Sequence, residues 1–233
     1  MIILTLFLKT IFLYSISPTL HFAFSVHRHY FQIVNIDAVS SLIKCEQLWV
    51  ARNAIATVPS LKLLTELRFI NLESNRIVNI DAIGLNDTHV HLTCLLLGMN
   101  RITNIEALEQ LVTLTELHLY NNFITNVAPL RHLTQLNELN IAENQIVDIA
   151  PLQEMVRLVV LYLDSNQIVD VLPLNGMYCL KELGLHSNCI ADISPLAGLT
   201  NLKQLQHEGN VIGNLESISG VLELLDDSAE WDY

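Results

Sequence analysis

Histidine and cysteine side chains are the groups in this sequence whose types and spacing could support metal chemistry. His89, His91 and Cys94 form an HxHxxC pattern, and imidazole nitrogens and thiolates are common ligands of zinc. Cys94 falls within a predicted strand, His91 borders that strand, and the sequence offers no evident fourth ligand. We therefore expect these residues to be structural, and we predict no metal site.

A second group consists of Cys179, His186 and Cys189, which are close in sequence but occupy positions predicted to point in different directions. His118 and His186 are predicted to share one sheet face, three strands apart. At about 4.8 Å per strand their separation is roughly 14 Å, which is too long for an acid–base pair. The sequence contains no glycine-rich phosphate loop, serine elbow or catalytic cysteine motif. It predicts no catalytic residue, no cofactor and no enzymatic activity.

The elements that position these residues belong to an internal repeat anchored on asparagine. Eight asparagines follow one another at intervals of 22 residues, with one interval of 25, and isoleucine stands two residues after each. Aliphatic residues recur five and eight residues after the asparagine, and five and three residues before it, with His207 as the one polar exception. The asparagines are Asn53, Asn75, Asn100, Asn122, Asn144, Asn166, Asn188 and Asn210. The pattern LxxLxLxxNxI resembles that of leucine-rich repeats.

This spacing predicts a solenoid in which each repeat contributes one strand and one return segment. The apolar–polar alternation before the asparagine predicts a short strand, buried on one face, that pairs in parallel with its neighbour. A buried amide just after the strand can bond free backbone groups and form a ladder along the stack. Prolines seven residues after four of the asparagines favour short helical turns. The predicted fold is an α/β solenoid: a curved leucine-rich-repeat horseshoe with a parallel sheet on its concave face and short 3-10 or α turns on its convex face.

The chain divides into three segments. Residues 33–220 carry the eight repeats and a partial N-terminal one, and residues 221–233 form a polar, degenerate repeat that would cover the end of the core. A truncated chain is the alternative interpretation of this last segment. Residues 1–32 are apolar and contain no Asp, Glu, Gly or Asn. Three interpretations of this first segment are open: a secretory signal, a membrane anchor or a gene-model artefact. No clean strand is evident before residue 33.

Side chains six, four and two residues before each asparagine are predicted to point away from the core and to line the concave face. Aromatic and acidic residues recur in these three columns, which contain no lysine or arginine. Aromatic residues are favoured anchors at protein interfaces, and solenoids present extended binding surfaces. We therefore predict that a protein partner binds here. The candidate residues are Trp49, Phe69, Glu73, Glu116, His118, Tyr120, Tyr162, Asp164, Glu182 and His186.

The net charge of −12 limits the classes of partner. We expect no nucleic-acid binding because phosphate recognition needs clustered lysine and arginine. Anionic membrane surfaces repel an acidic chain, so a membrane is expected only if residues 1–32 are kept as an anchor. A protein partner should present a basic or mixed face. The four cysteines show no CxxC spacing, which predicts mostly packed, reduced thiols in a reducing compartment.

From Asn100 to Asn210 the unit LxxLxxLxLxxNxIxxIxxL resembles the 22-residue class of leucine-rich repeats. That class includes a regulatory subunit of protein phosphatase 1 and the bacterial internalins, which the stretch DISPLAGLTNLKQL at 192–205 strongly resembles. Resemblance to the phosphatase subunit implies that aromatic and acidic residues of the concave face bind the phosphatase catalytic subunit. The matching columns of this chain hold Glu73, Tyr120, Tyr162, Asp164 and Glu182.

The resemblance leaves two functions open. The first is an intracellular scaffold or regulatory subunit, cytoplasmic or nuclear, with a protein phosphatase 1 catalytic subunit as its candidate partner. The alternative is a secreted or membrane-attached adhesion protein of the internalin type. Both functions are protein–protein interactions, and the scaffold or regulatory subunit would bind its partner through the concave face.

Overall fold

The computed structural model describes residues 33–225 and the backbone of one strand at residues 21–23. Apart from that strand, the predicted apolar segment 1–32 lies outside the described residues, and so do residues 226–233 of the predicted polar end. Within the described part, no helix combines the length and the apolar character that a membrane span requires.

One parallel sheet runs through the described part of the chain, and its strands follow sequence order without a crossover. Each strand is three residues long, and its central residue lies opposite the central residue of the next strand. The strands are β1 His21–Ala23, β2 Gln47–Trp49, β3 Phe69–Asn71, β4 Cys94–Leu96, β5 Glu116–His118, β6 Glu138–Asn140, β7 Val160–Tyr162, β8 Glu182–Gly184 and β9 Gln204–Gln206. This arrangement confirms the predicted leucine-rich-repeat solenoid.

The strand β1 was not evident from the sequence. It pairs in parallel with β2, so that His21 lies opposite Gln47, and it supplies a strand for the partial N-terminal repeat. Its position escaped detection because Phe31 stands where the repeat pattern requires asparagine, and the strand ends well before that residue.

The core is a single continuous column of the predicted aliphatic positions. Leu117 at the centre of β5, Leu119 three residues before the asparagine, and Ile124 two residues after it are all fully buried. Equivalent residues of the neighbouring repeats are buried in the same way, so each repeat packs on the next. Because burial is shared between adjacent repeats, stability depends on stacking and not on any one repeat alone.

The predicted asparagine ladder is confirmed. In Asn122, the Oδ1 atom accepts the backbone N–H of Ile102 in the preceding repeat at 2.9 Å. Its Nδ2 atom donates to the carbonyls of Leu119 in its own repeat at 2.9 Å and of Leu97 in the preceding one at 3.1 Å. The same bonds recur along the stack, so buried polar backbone atoms that the sheet leaves unpaired find partners.

The residue before each asparagine has a left-handed backbone conformation, which the sequence did not reveal. Seven of these residues are not glycine, and their φ angles lie between 52° and 58°. The asparagine that follows this left-handed residue bonds back to a carbonyl three residues earlier, as Asn122 does to Leu119. Such φ values cost non-glycine residues about 1 kcal/mol or more, so the repeat holds a regular local strain. The residues are Arg52, Ser74, Met99, Asn121, Glu143, Ser165 and Ser187.

Short 3-10 turns form the return segments, and in all eight of the described turns an Asn or Asp side chain accepts the N–H of the first residue. In Asp148, for example, Oδ1 accepts the N–H of Ala150, the first residue of the turn, at 2.8 Å. The repeat that begins at Asn53 has Thr57 at this place, and the described residues between β2 and β3 form no 3-10 turn. The turns span Asp37–Ser41, Asp81–Ile83, Glu106–Leu108, Ala128–Leu130, Ala150–Leu152, Leu172–Leu174, Ser194–Gly198 and Glu216–Ile218. A single α-helical turn, α1, follows at Ser219–Leu222 and buries Val221.

The three extra residues of the longer repeat are absorbed by a turn around Asn86, which follows the left-handed Gly84. His89 closes this turn from inside the protein, where it is almost completely buried. Its Nδ1 atom accepts the N–H of Asn86 at 3.3 Å, and its Nε2 atom lies 3.2 Å from the carbonyl oxygen of Leu61. Both ring nitrogens of His89 are therefore occupied by backbone groups.

Candidate partner-binding face

The three columns predicted to face outward do so, because side chains alternate across each strand. In β5, Leu117 is buried in the core while Glu116 and His118 lie half-buried on the outer side of the sheet. All ten candidate residues belong to this face. The structure groups them into an apolar patch at one end, a histidine–carboxylate cluster next to it, and a tyrosine–carboxylate group further along.

The apolar patch consists of Trp49, Phe69, Cys94 and Leu96, on the adjacent strands β2, β3 and β4. The rings of Trp49 and Phe69 are stacked, with centroids 4.0 Å apart and an interplanar angle of 21°. Cys94 lies opposite Phe69 in the register and is only 7% exposed, and Leu96 is 8% exposed. Burial raises the pKa of the Cys94 thiol well above its usual range, and the nearby Glu116 carboxylate adds to this effect. The patch therefore presents a neutral, apolar surface.

The His118 cluster consists of His118 and the carboxylates of Glu73, Glu116 and Glu138. The Nε2 atom of His118 lies 2.9 Å from Oε1 of Glu138 and 3.7 Å from Oε1 of Glu116, and its Nδ1 atom lies 3.7 Å from Oε1 of Glu73. Burial by itself lowers the pKa of His118. The hydrogen bond to Glu138, the nearby Glu73 carboxylate and the surrounding negative charge outweigh burial and raise the pKa of His118 to about 9. The hydrogen bond to His118 in turn lowers the pKa of Glu138.

Tyr120 does not project from the face but lies flat along it. A Cβ atom built at Gly98 would collide with the Tyr120 ring, so the glycine provides the space that the ring occupies. The phenol group reaches the Glu73 carboxylate across this gap, and burial together with that carboxylate raises the pKa of Tyr120 to about 12. The absence of a side chain at Gly98 thus allows Tyr120 and Glu73, from the repeats on either side, to come into contact.

The remaining candidates form a second polar group on β7 and β8. The hydroxyl of Tyr162 donates to Oε2 of Glu182 at 2.7 Å. Asp164 is buried and lies over Gly184, where a Cβ atom would collide with its carboxylate. Its Oδ1 atom accepts the backbone N–H of His186 at 2.9 Å. Burial raises the pKa of Asp164, although this hydrogen bond opposes the shift. The carboxylate of Asp164 therefore links two adjacent repeats through a hydrogen bond. The His186 side chain, in contrast, is exposed.

Three residues of the apolar patch and the His118 cluster were absent from the sequence-based candidates: Cys94, Leu96 and Glu138. Glu138 makes the shortest contact with His118. It occupies the same column as Glu116 on the neighbouring strand, which is the signal that could have identified it. Leu96 completes the apolar patch and also lies in a concave column. The HxHxxC residues point apart: His89 is buried under its own turn, His91 is exposed, and Cys94 lies in the patch.

The four cysteines, all within the described part, are unpaired. Cys45 and Cys94 are buried as predicted, whereas Cys179 and Cys189 are exposed. The expectation of mostly packed thiols therefore holds for two of the four.

Comparison with known proteins supports the fold and its repeats. The family model described as leucine-rich repeats, in two copies, matches residues 90–132. No curated protein matches the sequence. Internalin C2 from Listeria monocytogenes is 34% identical, with a TM-score of 0.71, over 75% of this chain and 76% of that one. An internalin (inlF) from the same organism is 26% identical, with a TM-score of 0.56, over 86% of this chain and 78% of that one.

A plant peptide hormone receptor, RGFR1, solved in complex with RGF2, is 23% identical, with a TM-score of 0.67, over 76% of this chain and 30% of that one. At this identity the match supports the fold alone. These comparisons do not confirm the resemblance to the regulatory subunit of protein phosphatase 1. They agree with the repeat pattern, the sheet and the asparagine ladder: the chain belongs to the leucine-rich-repeat family, with internalins among its structural neighbours.

Proposed function

We propose that this protein binds a partner protein through the concave face, with the apolar patch and the His118 cluster at the centre of the contact. The observation that carries this proposal is the stacked pair Trp49–Phe69, half-buried on the outer side of the sheet. These two rings contribute nothing to the core of the solenoid, which lies on the other side of the strands. Large aromatic side chains at such a position are typical of interface anchors.

The charge beside the patch favours one class of partner. Glu73, Glu116 and Glu138 surround a single imidazole, and the concave columns contain no lysine or arginine. A partner that inserts an apolar group at the patch and a lysine or arginine beside it would complement both features. Such electrostatic complementarity mainly accelerates association and fixes orientation. We therefore expect a partner with a basic or mixed face, bound more slowly as the salt concentration rises.

Two biological settings fit this interaction. The 34% identity to internalin C2 over three quarters of the chain favours a surface or secreted adhesion protein of the internalin type. A cytoplasmic or nuclear regulatory subunit, with a protein phosphatase 1 catalytic subunit as its partner, is the second candidate. The support for it is that acidic and aromatic residues such as Glu73, Tyr120 and Glu182 occupy the concave columns in which the phosphatase regulatory subunit carries its binding residues.

The test is an affinity capture from extract of the native cells, with the full chain as bait and mass spectrometry as readout. The Trp49→Ala/Phe69→Ala double variant removes the stacked pair. Phe123→Ala is the matched control, because Phe123 is an aromatic residue that is 50% exposed but lies outside the three concave columns. We expect a partner that the wild type and Phe123→Ala capture and that the double variant loses.

Retention of every partner by the double variant, with an unchanged circular dichroism melting curve, would exclude the apolar patch as the binding site. The identity of the lost partner separates the two settings. A phosphatase catalytic subunit supports the regulatory role, and a host or matrix surface protein supports adhesion.

A further inference from the structure

We propose that Glu116, His118 and Glu138 form a binding site for one divalent transition-metal ion, of which zinc best suits the ligand set. This site is separate from the HxHxxC pattern and does not depend on the identity of a protein partner. Imidazole nitrogen and carboxylate oxygen are ligands that zinc takes in proteins, and three protein ligands with an open fourth position are a common zinc arrangement.

The two distances from His118 to the carboxylate oxygens bracket the spacing that such an ion requires. A tetrahedral zinc with bonds of about 2.0–2.1 Å holds neighbouring ligand atoms about 3.3 Å apart. The Nε2 atom of His118 lies 2.9 Å from Oε1 of Glu138 and 3.7 Å from Oε1 of Glu116, on either side of that value. All three ligand atoms lie within 4.8 Å of one another. Small side-chain rotations would therefore place all three around one ion, without movement of the backbone.

The orientation of the imidazole also fits a metal ligand. Its Nε2 atom faces the two carboxylates that would share the ion, and its opposite nitrogen, Nδ1, lies 3.7 Å from Oε1 of Glu73. Metal-bound histidines usually donate their second N–H to a carboxylate or carbonyl, which fixes the ring and strengthens the ligand. Glu73 is placed to hold His118 in this way from outside the ligand set.

The backbone holds the site rigidly, and its charge favours a cation. Glu116 and Glu138 are direct partners in the register of β5 and β6, and His118 lies two residues beyond Glu116 on the same strand. All three side chains are half-buried, so water competes less for them than for carboxylates on an open surface. With Glu73 included, three carboxylates surround one imidazole. A divalent ion would neutralise charge that a single proton on His118 leaves uncompensated.

The proposal is tested by isothermal titration of zinc chloride into the full chain after removal of metals with EDTA. His118→Gln and Glu138→Gln each remove one ligand while preserving side-chain size. Glu182→Gln is the matched control, because Glu182 occupies the same column as Glu116 but is bonded to Tyr162 instead of a histidine. We expect one zinc per chain, bound at least about tenfold more weakly by the two ligand variants and equally well by the control.

Zinc could also bind the exposed Cys179 and Cys189, so the type of bound atom is measured directly on the wild type. X-ray absorption of the zinc-loaded protein should show nitrogen and oxygen neighbours at about 2.0 Å and no sulfur at about 2.3 Å. This measurement does not depend on whether a variant folds. Sulfur neighbours, equal zinc affinity in His118→Gln and wild type, or no binding at about 1 mM zinc would each overturn the proposal.

Discussion

Replacing Asn144 by alanine tests how much the asparagine ladder contributes to stability. Asn144 is buried in the middle of the stack and makes four hydrogen bonds to backbone groups. Its Oδ1 atom accepts the N–H of Ile124 at 3.0 Å. Its Nδ2 atom donates to the carbonyls of Leu119 at 3.0 Å, Ile141 at 3.1 Å and Ala142 at 3.0 Å. The substitution removes all four bonds but leaves the aliphatic core residues unchanged.

The size of the effect follows from which backbone groups lose their last partner. The carbonyl of Leu119 keeps a bond from Asn122 at 2.9 Å, and that of Ile141 keeps one from Asn166 at 3.0 Å. The N–H of Ile124 has no other acceptor among the bonds of the described residues. A buried unsatisfied donor costs about 1–3 kcal/mol, and the weakened carbonyl bonds add to this. We expect the free energy of unfolding to fall by about 2–4 kcal/mol.

Asn210→Ala is the matched control at the end of the stack. Asn210 accepts the N–H of Ile190 at 3.0 Å in the same way, but the residue is only half-buried. Water can therefore replace the lost amide, and we expect a loss of no more than about 1 kcal/mol. Urea unfolding followed by circular dichroism, fitted with nearest-neighbour coupling between repeats, measures both variants. Equal losses in the two variants would refute the idea that the ladder stabilises by satisfying buried backbone groups.

Three further predictions follow from the local structure. Ser165→Gly should raise the free energy of unfolding by about 0.5–1 kcal/mol in urea, because the left-handed φ of 53° strains serine but not glycine. Asp164→Asn should raise the melting temperature at pH 7. Burial raises the pKa of Asp164 in the folded state, so its contribution to stability is present at acid pH and is lost as the pH rises through that pKa. Iodoacetamide should label Cys179 and Cys189 in the native protein, but not the buried Cys94, as peptide mass spectrometry will show.

Each of these predictions has an outcome that would contradict it. For Ser165, a β-branched residue is the opposite control, and Ser165→Val should be less stable than the wild type; if glycine and valine act alike, strain is not the cause. For Asp164, the melting temperatures of the wild type and Asp164→Asn are compared between pH 3 and 7. If their difference does not change with pH, ionisation of Asp164 is not the cause. For the cysteines, labelling of Cys94 as fast as Cys179 would show that the concave face opens in solution.

The repeated features of this protein are those that the sequence predicted well. Eight in-register asparagines, each followed by isoleucine two residues later, allow one arrangement of strand, turn and return segment. The amide ladder follows because buried backbone groups in such a stack need partners. The strand β1 was missed because the partial repeat to which it belongs lacks the asparagine that marks the other repeats. The left-handed residues recur but vary in type, from Arg52 to Ser187, so the sequence carries no signal for their backbone conformation.

The sequence by itself determined the solenoid and the columns of side chains that face outward, because a fixed period assigns each residue to one side of the sheet. Only the tertiary structure decided which of those side chains meet. Glu73 and His118 belong to repeats that are not adjacent, yet they approach to 3.7 Å. Gly98 in the repeat between them carries no side chain, and the Tyr120 ring fills the space that this leaves. Distances between long side chains depend on such gaps and on rotamers, which a repeat pattern does not encode.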